Sequence, residues 1–114
     1  MIKVEGVYIF NRGINENNVR IVNSIDYLMN HLINVPILMN NSVIGVITEV
    51  TSVSEDKLYG TVMFYDKKYK DYKYFKNYEV QPDYNFQYNK NGITEIKIAN
   101  ISAIYLTDNL KNKL

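Results

Sequence analysis

Apolar residues in this chain mostly recur at every second position, in runs separated by Asn, Gly and charged residues, and this predicts strands and turns. Ile2 to Phe10 reads as a first strand, with Val4, Val7 and Ile9 apolar, Gly6 interrupting them, and Asn11-Arg12-Gly13 as a turn. Residues 15–18 continue as loop and Val19 to Val22 reads as a short strand. One segment changes period: Ile25, Leu28, Met29 and Leu32 fall at i, i+3, i+4 and i+7. That is one apolar stripe on a helix of two to three turns, capped by Asn23 or Ser24 and closed by Pro36, which forces Val35 toward extended geometry.

From Val43 the β-branched pattern returns and runs through VIGVITEVTSVS, with Gly45 expected at a bulge or close approach. Ser54-Glu55-Asp56-Lys57 is a polar turn, and in the return strand Leu58, Val62 and Phe64 alternate with Tyr59, Thr61 and Met63. This predicts an antiparallel hairpin. A second hairpin is predicted from Tyr84 to Tyr88, a turn at Asn89-Lys90-Asn91-Gly92, and Ile93 to Leu106. In its last strand Ile96 and Ile98 share one face while Ile101, Ala103 and Tyr105 fall on the other, so a bulge near Ala99-Asn100 is expected to restore a single apolar face. The expected fold class is mainly β (α+β), a small bent sheet or closed β-barrel with one or two short helices. Residues 1–107 read as a single β-rich domain and 108–114 as a frayed C-terminal tail, at a length that suits one modest core.

Composition mainly removes possibilities. The chain has no Cys, which excludes disulfides, thiolate metal sites and a cysteine nucleophile. Its net charge of +1 gives no overall attraction to nucleic acid or to an anionic membrane. No apolar run approaches the length of a membrane-spanning helix, and MIKVEGVYIF lacks the features of a secretory signal, so a soluble protein of the cytoplasm is expected. Tyr and Asn are abundant, Lys greatly exceeds Arg, and Trp is absent. Such a bias fits an AT-rich genome and discounts the chemical meaning of any Lys or Asn cluster.

The single histidine, His31, lies in the predicted helix on the side opposite Ile25. A serine hydrolase would need it beside a hydroxyl such as Ser24 or Ser42, and no nucleophile-elbow motif supports either. The five glycines are isolated and none opens a helix, which argues against a phosphate-binding loop. No catalytic, cofactor-binding or metal-binding residue is therefore assigned. The most unusual local stretch is Tyr65 to Tyr78, where Lys67, Lys70, Lys73 and Lys76 recur every third residue, as do Tyr69, Tyr72, Phe75 and Tyr78. On a helix this spacing gives two slowly winding stripes, one basic and one aromatic. Asp66 and Asp71 dilute the charge and Arg is missing, which favours a protein partner over nucleic acid. The candidate interaction surface is accordingly Tyr65, Tyr69, Tyr72, Phe75 and Tyr78 with Lys67, Lys70 and Lys73.

Val35-Pro36-Ile37-Leu38, then Asn40-Asn41, Val43 to Glu49, and Glu55 to Gly60 ending at Phe64 resemble the core of phage prohead (capsid maturation) proteases of the HK97 type. The run from Ile93 to Thr107 is similar to that family's closing strand. The resemblance implies a small closed barrel with helices, one of them matched by Tyr65 to Asn77. It sets Asn41 where the family has its catalytic histidine, and an amide cannot serve as a general base there. The segment that would carry the nucleophilic serine is reduced to residues 77–80 and has no Ser. The resemblance thus implies a phage-derived structural or assembly protein without catalysis, binding capsid, scaffold or itself as a homo-oligomer, in the host cytoplasm or the virion. The alternative is a small β-rich phage or mobile-element protein that inhibits a host factor or sequesters a ligand.

Overall fold

The computed structural model describes residues 1–54, 56–72 and 77–105. These residues form seven strands, one α-helix and one 3₁₀ turn, in the order β1 (Ile2–Asn11), β2 (Val19–Ile21), α1 (Ile25–Leu32), β3 (Pro36–Met39), β4 (Ser42–Ser52), β5 (Lys57–Phe64), the 3₁₀ turn (Lys67–Tyr69), β6 (Asn77–Lys90) and β7 (Ile93–Tyr105). They form one mixed sheet in the order β1-β5-β4-β3-β7-β2, with β6 on the other edge of β7. The sheet is not closed, so of the two expected architectures the bent open sheet is the one found. The closed barrel would need β1 to pair with β6, and these two strands instead end the sheet.

Bulges let this sheet bend around one core. Val4 pairs with Val62 and Val7 with Gly60, so Glu5 and Gly6 together oppose Thr61, with Gly6 at φ 68°. Ile47 pairs with Val62 and Glu49 with Thr61, leaving Thr48 as the extra residue of β4. In β7, Ile98 pairs with Pro82 and Asn100 with Gln81, so Ala99 is the inserted residue, where the sequence pattern required one. Ile98 and Ile101 are consequently both buried. The β6 side of this ladder contains a larger irregularity: Pro82 pairs with Ile98 and Gln87 with Ile96, so residues 83–86 stand opposite Lys97 alone. A proline, which has no N–H to give to the ladder, sits at its start. The sequence pattern assigned only Tyr84 to Tyr88 to this strand, whereas β6 begins seven residues earlier.

Two of the hairpins close through two-residue turns with positive φ at both positions, as type I′ requires. Asn40 (50°) and Asn41 (66°) join β3 to β4, and Asn91 (53°) and Gly92 (82°) join β6 to β7. The β4–β5 turn is held by side chains: Ser54 Oγ accepts from the Lys57 amide at 3.2 Å, and Ser52 Oγ donates to the Ser54 carbonyl at 2.8 Å.

The concave side of the sheet holds the core. Val4, Val7, Ile9, Phe10, Ile37, Ile47, Leu58, Val62, Phe64, Ile98 and Ile104 are buried there, and α1 covers them with Leu28 and Leu32. Ile25 and Met29 pack against this cluster as partly buried residues, so the helical stripe read from the sequence is the packed face. Ser24 is the N-cap, its Oγ accepting from the Tyr27 amide at 3.1 Å. Ser24→Ala should cost about 1 kcal/mol, the usual value of a helix cap, read as a lower midpoint in urea with an unchanged slope.

Asn23, the alternative cap, is instead a buried bridge between the helix entry and β7. Its Nδ2 donates to the Ile98 carbonyl at 2.9 Å and its Oδ1 accepts from the Ile98 amide at 2.8 Å. The side-chain amide thereby stands in for one more residue of β2, which pairs with Thr94 to Ile96 of β7 in parallel. Next along that edge, Tyr27 Oη donates to the Ala99 carbonyl at 2.9 Å. Beyond it, Ile37 and Leu38 of β3 pair with Ile104 and Tyr105. Two short strands, an asparagine and a tyrosine hydroxyl thus share one edge of β7, with α1 crossing between them. Arg12 ties this corner to the first hairpin, donating from its guanidinium to the Asn23 carbonyl at 2.7 Å and pairing with Asp56 at 3.4 Å.

Candidate interaction surface

Across the described part of the predicted basic-aromatic strip, residues 65–72, no α-helix forms. Among these residues Lys67 to Tyr69 is helical, as a single 3₁₀ turn opened by Asp66, whose Oδ1 accepts from the Lys68 amide at 2.9 Å. The helix expected over Tyr65 to Asn77 is thus corrected for its first half, and Asn77 already belongs to β6. A three-residue period winds around a helix instead of keeping to one face, and Asp66 and Asp71 interrupt it, so Tyr69 and Tyr72 reach the core separately. Tyr69 and Tyr72 are half-buried against the core cluster, with Tyr69 5.7 Å from the Phe64 ring and 5.9 Å from that of Tyr72. Lys68 sits over the Tyr69 ring at 5.1 Å. Tyr65, Lys67 and Lys70 are exposed. Lys73 and Phe75 lie outside the described residues, as does the tail at 108–114, and Tyr78 is placed by its backbone opposite Ile104.

A different aromatic surface is assembled by the sheet itself. In β5 the residues alternate, so Leu58, Val62 and Phe64 enter the core while Tyr59, Thr61 and Met63 point to the convex side. Tyr65 continues that alternation one step past the strand, its amide still donating to the Ile44 carbonyl at 2.9 Å. Register adds neighbours from both sides. Tyr8 of β1 opposes Tyr59 and meets it edge to face at 5.2 Å, and Val46 of β4 opposes Met63, with Pro36 of β3 beyond it. Tyr8, Pro36, Val46, Tyr59 and Met63 are each partly exposed, Tyr65 is 52% exposed, and Thr61 among them is 7% exposed. The sequence pattern contained this signal, since Tyr59, Thr61 and Met63 were the polar-phase positions of a strand and two of them are large and apolar-bodied.

The edge of β1 is poorly suited to pairing with another strand. Its register shifts at Val4/Val7 and Tyr8/Phe10, and Lys3 and Glu5 form an exposed ion pair at 3.3 Å on it. Bulges and edge charges are the usual means by which sheets discourage such addition. The convex face is therefore better suited than this edge to meet a partner.

His31 is exposed, its Nδ1 2.8 Å from the Tyr27 carbonyl and its ring stacked on Tyr27 at 3.8 Å. It sits in the last turn of α1. Ser24 Oγ is engaged in the cap. Asn41 occupies the second position of a type I′ turn, a place that asparagine fills for backbone reasons. Among the described residues no group of three or more His, Asp or Glu side chains could hold a metal ion. No described helix is long and apolar enough to cross a membrane.

Fold and surface together define a small, mainly β domain with one open seven-stranded sheet, one helix in its hollow and an aromatic convex face. Comparison with protein-family models, curated proteins and solved structures finds no match to the chain.

Proposed function

We propose that this is a non-catalytic assembly protein that meets a protein partner through the convex face of β1, β5 and β4. The observation that carries the reading is the Tyr8–Tyr59 edge-to-face pair on the same face as Val46–Met63, the side of the sheet that the core does not use. Tyrosine and methionine are enriched at protein interfaces, where large amphipathic side chains bury area at small entropic cost. A net charge near zero also suits a protein partner better than nucleic acid. The resemblance to prohead proteases, with Asn41 in place of a catalytic histidine, supports a phage capsid or scaffold, or a second copy of this chain, as the partner.

Light scattering after size exclusion tests the reading, on the wild type and on a Tyr8→Thr/Tyr59→Thr/Met63→Thr variant that keeps β-favouring residues on the sheet. The expected result is a wild-type oligomer, or a stable complex with capsid or scaffold protein, that the variant loses while its circular dichroism is unchanged. A strictly monomeric wild type without affinity for virion components would overturn it.

A further inference from the structure

We propose that Asn91 is a site of spontaneous covalent modification, converting through a succinimide to aspartate and isoaspartate. The Gly92 amide nitrogen attacks the Asn91 Cγ carbonyl carbon. The side-chain nitrogen leaves as ammonia with the proton lost from Gly92, and a five-membered imide closes. Water then opens the ring at one of its two carbonyls, leaving either an aspartyl residue or an isoaspartyl residue, in which the backbone runs through the former side chain.

Several observations single out this position. Asn18, Asn34, Asn40, Asn41 and Asn91 all have positive φ, and the first four precede Val, Val, Asn and Ser, whose side chains obstruct the attacking nitrogen. Only Asn91 among them precedes glycine. An ideal Cβ built on Gly92 meets nothing within 4 Å, so the space around the attacking amide is open. Both turn residues are exposed. The turn must open for the nitrogen to reach Cγ, and an exposed hairpin tip is a region that opens at low free energy.

The surroundings favour the negative charge that the reaction creates. Arg20, Lys90, Asn91, Ile93 and Glu95 line a surface recess of about 210 Å³. Arg20 is held only loosely by Glu95, at 4.0 Å. Arg20 and Lys90 outnumber Glu95 in this recess, so a net positive charge lies beside the site where first the deprotonated amide and then the product carboxylate appears, an attraction that persists near a protein surface. The product lowers the formal net charge from +1 to zero. Isoaspartate also inserts a backbone carbon into a turn whose two residues set the register of β6 on β7.

The test is ageing of the purified full chain in warm, mildly alkaline buffer, followed by peptide mass mapping. The expected result is a one-dalton gain in the peptide containing Asn91, before any other asparagine, resolved into two chromatographic species of equal mass. Asn91→Gln and Gly92→Ala should each lose that product, and Arg20→Gln, which leaves the turn intact, should slow it. Gly92→Ala is strained at φ 82°, so its circular dichroism is checked, and Arg20→Gln keeps the test decisive if that variant unfolds. A gain appearing first at another asparagine, or an intact protein that stays unmodified while its excised peptide reacts, would overturn the proposal.

Discussion

Replacing Gly60 by alanine is expected to destabilise the protein by at least about 3 kcal/mol, the upper end of the cost of overpacking a core. Gly60 lies in β5 with β1 on one side and β4 on the other, opposite Val7 and Val50. A Cβ there would overlap the Glu49 carbonyl oxygen and stand 2.7 Å from Ile9 Cδ1. The isoleucine tip could turn away, but the carbonyl belongs to a hydrogen-bonded ladder and can move only by spreading the sheet. For a domain of this size the loss corresponds to a fall in melting temperature of roughly 10–15 °C. Thermal unfolding followed by circular dichroism measures it. Gly6→Ala is the informative comparison, because it carries the strain of φ 68° but no neighbour within 4 Å. If Gly60→Ala melts no lower than Gly6→Ala, the close approach of β4 to β5 does not limit the fold.

Asn23→Ala is expected to cost about 2–4 kcal/mol, since it leaves both polar backbone groups of Ile98 without their partners. Asn23 is 4% exposed and Ile98 1%, so water cannot readily replace either bond. Asn23→Asp tests the geometry more closely. It is nearly isosteric and keeps an acceptor for the Ile98 amide, yet it turns a carboxylate oxygen toward the Ile98 carbonyl where Nδ2 had donated. It should be at least as damaging as alanine near neutral pH. Asn100→Ala, an exposed position two residues along the same strand, should change stability little. Equal urea midpoints for Asn23→Ala, Asn100→Ala and the wild type would show that β7 does not depend on this bridge.

These two residues mark the boundary of what pattern alone conveys. Gly60 is a gap in the apolar alternation of a strand, and nothing local says which backbone will press against it. Asn23 reads equally well as a helix cap, because asparagine and serine both favour that role. Ser24 took the cap, and Asn23 turned toward a strand seventy-five residues away. The strip from Tyr65 to Tyr78 was legible as a region of interest but not as a surface. Tyr69 and Tyr72 spend their rings on the core, while Tyr65 joins a face completed by Tyr8 and Val46 from distant strands.

The sequence by itself determined β1, β2, β4, β5 and β7, the helix and its packed stripe, the turn at Asn91-Gly92 and the need for a bulge near Ala99, because each follows from periodicity or backbone preference within a few residues; β3 and the first seven residues of β6 were not among them. Tertiary structure alone decided that the sheet stays open, that β2 and β3 share one edge of β7, and that the convex face gathers Tyr8, Tyr59, Met63 and Val46. Register between strands far apart in the chain sets all three, and a one-residue shift at each bulge changes which side chains become neighbours.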